Sequence, residues 1–243
     1  MSNIKNAASY SRLVDVCTGF GGKYNPGRQT LQLKAMRALL TEAQSSLQDV
    51  SRKRNALSGI TNERTKAFDD LQKLVTKIVS TMKASQVPVA TLATARFYTR
   101  LINGQLKYNR DRLPVPSEDN EAQPMITRSI TQQSYVAKAH NFMRLAQLIN
   151  EEVPEYKTAS AQLQPPALLE KAAQLKALNE SWSRAKVALT HARIHRDTLF
   201  YKGPASLLSN ANAVKSYLRA EFGTRSSEAA QLSALSFTKK RVR

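Results

Sequence analysis

The sequence predicts an all-α protein: a tandem duplication of a helical-hairpin unit, folded as an antiparallel helical bundle with pseudo-twofold symmetry. Three observations predict it. Apolar residues recur at alternating three- and four-residue steps over long windows, and no stretch sustains a period of two. Glycine and proline are sparse, at 8 and 9 in 243 residues, so few positions break a helix. Stretches of the second half can also be laid over stretches of the first with their apolar positions in step.

The elements follow in order. "SY" at 9–10 opens a first segment, which Gly19, Gly21 and Gly22 make short and loose. Tyr24 marks the turn into a long helix. Its seam runs through Leu33, Met36, Leu40, Ala43, Leu47, Val50, Arg54 and Leu57. A second helix carries Phe68, Leu71, Val75, Ile78 and Met82, and "RFYTR" (96–100) trails it. Next come Pro114, Pro116 and Pro124 with Glu118, Asp119 and Glu121, which read as an extended, solvated linker. Beyond it "SY" at 134–135 opens a helix through Tyr135, Ala139, Phe142, Leu145 and Ile149, and Tyr156 marks a turn. The second long seam is Leu175, Leu178, Trp182, Ala185, Leu189, Ala192, Arg196 and Leu199. Leu207, Ala211, Val214, Leu218 and Phe222 form the last long helix, ended by Gly223, and Phe237 falls opposite Phe97.

Laying 33–57 over 175–199 puts "LKAM" on "LKAL", Leu47 on Leu189, Arg54 on Arg196 and Leu57 on Leu199. Each such helix is about 38 Å long. The organisation is therefore a first repeat over 1–112, a linker over 113–128, and a second repeat over 129–243 packed with the first into one bundle. Two independent three-helix units are the alternative.

The stretches "QQSYVAKAHNFMRLAQLINEEVPEY" (132–156), "YNPGR" (24–28) and the "LKAL" helix start resemble a group of uncharacterised two-repeat helical proteins from Bacteroidota-type bacteria. The resemblance implies the repeat fold and carries no activity.

Charge speaks to partners. Lys and Arg total 37 against 18 Asp and Glu, a formal +19. An excess this large points to a polyanion, DNA or RNA before an acidic membrane surface or an acidic protein. No apolar run spans a bilayer and the N-terminus lacks a signal-peptide core, so membrane insertion is not expected and the cytoplasm is the expected location. Cys17 is the only cysteine, which excludes an intrachain disulfide and a Cys-based zinc site.

No enzyme constellation emerges. His191 and His195 could reach one metal ion from successive helical turns, but a third ligand is missing and Ala192 stands where the zincin motif needs Glu. The first copy carries Asp49 and Lys53 there instead. Cys17, laid on Phe142, reads as packing. "TGFGGKYNPG" (18–27) is not a phosphate-binding loop of the GxxxxGK[ST] type. Asp69–Asp70 and Glu151–Glu152 are adjacent, so each pair diverges around its helix. The chain is read as non-enzymatic, with no metal and no cofactor.

Arg54 and Arg196 are the most informative residues, since each interrupts an apolar seam. An arginine there must pair with an acid such as Asp197, reach the surface along its stem, or face a ligand. The candidate phosphate contacts are Arg100, Lys107, Arg110 and Arg112, which alternate with Phe97, Tyr98 and Tyr108, and the terminal Lys239, Lys240, Arg241 and Arg243. Arg52, Lys53, Arg193 and Arg196 come second. Cations among aromatics suit phosphate contact with base stacking. No sequence-specific reader motif is present, so binding would be dominated by the phosphate backbone. A helical scaffold for protein partners is the alternative function.

Overall fold

A computed structural model of the protein describes residues 2–105, 134–154 and 156–239. Among these residues the chain is helical, without a strand. The helices are α1 (Ser2–Gly19), α2 (Leu33–Asp69), α3 (Leu71–Ala84), α4 (Val89–Asn103), α5 (Tyr135–Glu152), α6 (Pro165–Tyr201), α7 (Leu207–Phe222) and α8 (Ser227–Ser233). Single 3₁₀ turns at Gln29–Leu31 and Ala161–Leu163 lead into α2 and α6.

Local chemistry fixes the ends. The hydroxyls of Ser134, Ser206 and Ser226 accept from the backbone N–H three residues on, at 3.1, 3.4 and 3.0 Å, and so cap α5, α7 and α8. Pro165 opens α6, where the N–H it lacks would have no helical partner. Gly104 ends α4 at φ 72°, and Gly223 follows α7 as expected, at φ 85°.

The long helices exceed their sequence-derived lengths. Each has 37 residues, which makes them about 55 Å long. α2 does not stop at Leu57. Ile60, Arg64 and Phe68 continue the three-four step, and the single Gly59 costs too little to break so long a helix. Phe68 therefore belongs to α2 and the break falls at Asp70. α6 likewise starts at Pro165, with Leu168 and Ala172 already buried ahead of Leu175. α1 is not short: it has 18 residues, as α5 does, and its glycines lie at and beyond its last turn.

Burial also selects a different register between the halves. With Leu33 laid on Pro165, Met36 meets Leu168, Ala43 meets Leu175 and Phe68 meets Phe200. The same spacing puts Tyr10 on Phe142, Leu13 on Leu145, Cys17 on Ile149, Tyr24 on Tyr156 and Leu31 on Leu163. All of these matched residues except the opening Leu33 and Pro165 are at most 8% exposed. In this overlay Cys17 is laid on Ile149 and not on Phe142, and Arg196 on Arg64 and not on Arg54, which is exposed.

The chain divides into two compact units. One comprises Met1–Ser58 and Arg184–Arg243, the other Gly59–Ser183. Each draws on both sides of the 113–128 segment, which itself lies outside the described residues. In the first unit α7 packs on α1, α8 and the Gln29–Leu31 turn, over a core of Tyr10, Leu13, Cys17, Met36, Phe200 and Val214. In the second, α4 packs on α3 and α5 over Phe68, Val75, Ile78, Phe142, Leu145 and Leu168. Helix α2 contributes residues 33–58 to the first unit and 59–69 to the second, and α6 contributes 184–201 and 165–183.

Candidate nucleic-acid interface

The units differ sharply in charge. Met1–Ser58 with Arg184–Arg243 holds 21 Lys and Arg against 6 Asp and Glu, a formal +15; Gly59–Ser183 holds 16 against 12, a formal +4. Most of the net positive charge therefore lies in one unit.

Within it, hydrogen bonds and ring contacts bring distant segments together. The Tyr10 hydroxyl donates to Asn210 Oδ1 at 2.7 Å, and Asn210 Nδ2 donates to the Thr30 carbonyl at 2.7 Å. The Phe20 ring meets Phe222 at 5.1 Å between centroids, and Tyr24 meets Tyr217 edge-on at 5.6 Å. The chain from 20 to 31 is thereby laid along α7. Arg37 Nη2 donates to Thr18 Oγ1 at 3.2 Å, which ties the start of α2 to the end of α1. Asn6 exchanges two 2.9 Å bonds with the backbone of Thr238 and holds the segment after α8 on α1. The half-buried Lys215 donates to the Leu235 carbonyl, and burial pulls its pKa below the ordinary lysine value. The Glu228 carboxyl is held below its usual range by its own backbone N–H, the Ser227 hydroxyl and the charge of Lys23.

The expected contact residues separate into groups. Arg193 and Lys239 are exposed in the charged unit. Arg52 and Lys53 are engaged by Asp49, at 2.6 and 2.9 Å, and these two partners lower the Asp49 pKa. Arg196 places Nε and Nη2 on Asp197 Oδ1 at 3.0 and 2.7 Å, with both side chains mostly buried. It is an internal ion pair, as one sequence reading allowed. Arg100 is exposed on α4 of the less charged unit. Lys107, Arg110, Arg112, Lys240, Arg241 and Arg243 lie outside the described residues, as does Tyr108. Of the aromatics paired with them, Phe97 is 49% exposed and Tyr98 is partly buried against the core.

The buried seam arginine is Arg64. It is 9% exposed, with its guanidinium 4.0 Å from the Trp182 ring centre and 4.6 Å from that of Tyr135. No carboxylate pairs with it among the described residues, and its Nε lacks a hydrogen-bond partner. Burial lowers its pKa from the ordinary value. Trp182 Nε1 donates to Thr61 Oγ1 at 3.1 Å, and Asn179 Nδ2 to the Tyr135 carbonyl at 3.0 Å, so the stack is held on both sides. The signal was present in the three-four run Leu57, Ile60, Arg64, Phe68.

The other candidates place as follows. His191 and His195 are exposed; His195 Nε2 lies 4.0 Å from Glu42 Oε1. Among the described residues no three His, Cys, Asp or Glu side chains converge on one point. Cys17 is fully buried, and desolvation pushes its thiol up to about 11. In the less charged unit a hollow of about 650 Å³ is lined by Asp70, Lys73, Lys77, Glu170 and Lys171 among others, a mixture of both signs. No described helix is long and apolar enough to cross a membrane. Comparison with models of protein families, with curated proteins and with solved structures finds no match.

Proposed function

We propose that this all-α protein is a non-enzymatic binder of nucleic acid, free or in a ribonucleoprotein, without sequence-specific readout. The observation that carries the reading is the segregation of charge: a formal +15 in one folded unit. Contacts would run to phosphates, with Arg193 and Lys239 among them, and affinity would fall steeply with salt as counterions compete. We also infer that the halves arose by duplication, a reading supported by two 37-residue helices that each come shortly after a 3₁₀ turn, Gln29–Leu31 and Ala161–Leu163.

The test is titration of the full chain against labelled mixed-sequence DNA and RNA at about 50 mM and about 200 mM salt. Binding at the lower concentration with a loss of about tenfold or more at the higher supports the proposal. Absence of binding at the lower concentration overturns it. A second reading, a scaffold for protein partners, draws on the hollow between α5 and α6. There Val136 stays 65% exposed beside Ala139 and Met143. It predicts a partner retained after nuclease treatment.

A further inference from the structure

The positive surface of the charged unit is not uniform. Residues 18–37 and 202–239 together carry nine Lys and Arg against two acids, Glu221 and Glu228. These are the segments that the Thr18–Arg37, Phe20–Phe222, Tyr24–Tyr217 and Thr30–Asn210 contacts gather into one surface. Lys23, Arg28, Lys34, Lys202, Arg219 and Arg225 are all exposed on it. Among the described residues none of the six is in an ion pair within 4 Å, unlike Arg52, Lys53 and Arg196 elsewhere in the unit, although the charge of Lys23 acts on Glu228.

The aromatics of this surface are committed inward. Tyr24 is 6% exposed and its hydroxyl donates to the Leu31 carbonyl at 2.6 Å. Phe20, Tyr217, Phe222 and Phe237 pack against the core. Single-stranded nucleic acid is typically held by stacking its bases on free aromatic faces. Here Phe20, Tyr217, Phe222 and Phe237 are partly buried and already packed against the core, so the surface offers its cations to phosphates and little free ring face to bases. A duplex, which stacks its own bases and presents two phosphate rows, matches it.

Resting on the nucleic-acid reading above, we propose that the turn at 20–31 and the exposed side of α7 form the docking surface, and that its ligand is the phosphate backbone of a duplex. The glycines suit a close approach. A Cβ added at Gly19, Gly21, Gly22 or Gly27 would meet nothing within 4 Å, so the turn stands open along its length.

The experiment compares charge reversals of equal size in the full chain. Lys23→Glu with Arg28→Glu, and separately Arg219→Glu with Arg225→Glu, change the surface. Arg12→Glu with Arg54→Glu changes the net charge by the same amount at exposed positions outside these segments. All are checked for unchanged helical circular dichroism. Anisotropy at about 50 mM salt uses a mixed-sequence duplex and one of its strands alone. Each surface pair is expected to weaken duplex binding about tenfold or more, the comparison pair about threefold or less, and the wild type to favour duplex over single strand. Equal losses from all three pairs, or a single strand bound as tightly as the duplex, overturn this assignment and leave the broader reading standing. No binding of either probe by the wild type overturns both.

Discussion

At the scale of single residues, the two seam arginines solve the same problem differently. Arg196 neutralises itself on Asp197, its sequence neighbour. Arg64 has aromatic rings on two sides and no carboxylate partner among the described residues, so π-faces take the place of a counter-ion. Its methylene stem is packed while the head stays desolvated. An apolar residue of similar length should serve as well or better, because it removes an unpaired buried charge. Arg64→Met is expected to leave the unfolding midpoint in urea unchanged or to raise it, whereas Arg64→Ala, which empties the slot between Trp182 and Tyr135, should lose about 1–3 kcal/mol. Chemical denaturation of the two variants decides this. The sequence made the principle legible, an arginine inside an apolar stripe, but pointed to Arg54. Identity matches at Leu47, Arg54 and Leu57 favoured one register, and burial, which the sequence does not carry, favoured another.

At the scale of elements, the helices were legible from periodicity and their ends were not. Gly59 is the case in point. A glycine close after Leu57 invites a stop, yet a helix with buried residues ahead of it and Phe68 beyond it tolerates one permissive residue. The actual break, at Asp70, carries no glycine or proline. It follows the exhaustion of one stripe at Phe68 and the start of another at Leu71. Gly59 has open space where a Cβ would stand and a helical backbone. Gly59→Ala should therefore stabilise by about 0.5–1 kcal/mol, read as a rise in thermal midpoint by circular dichroism; a fall would mean that the helix needs to yield there. Serine caps before α5, α7 and α8 were readable in hindsight, since each is a Ser three residues ahead of the amide it serves.

At the scale of the whole molecule, net charge was legible and its location was not. The sequence displays runs dense in cations, such as 96–112. The surface that concentrates unpaired charge is assembled from 18–37 and 202–239, separated by most of the chain. No window of sequence can show that. The same exchange makes a sharp prediction about truncation. A chain ending at residue 183 retains everything in the Gly59–Ser183 unit but loses Phe200, Leu207, Val214, Leu218 and Leu232 from the core shared with α1 and the start of α2. Limited proteolysis of such a chain, followed by mass spectrometry, should leave a resistant core over 59–183 and digest 1–58; protection of both would show that the first segment needs no later partner.

That shared construction sets an order of assembly during synthesis. The unit over 59–183 is contiguous and is complete as soon as its last residue has left the ribosome. The strongly basic unit is closed only by Arg184–Arg243, so the core of Tyr10, Leu13, Cys17 and Met36 lacks its α7 and α8 side while the intervening chain is made. The residues that complete this unit are made after the 59–183 unit is whole, so its packing is the later event.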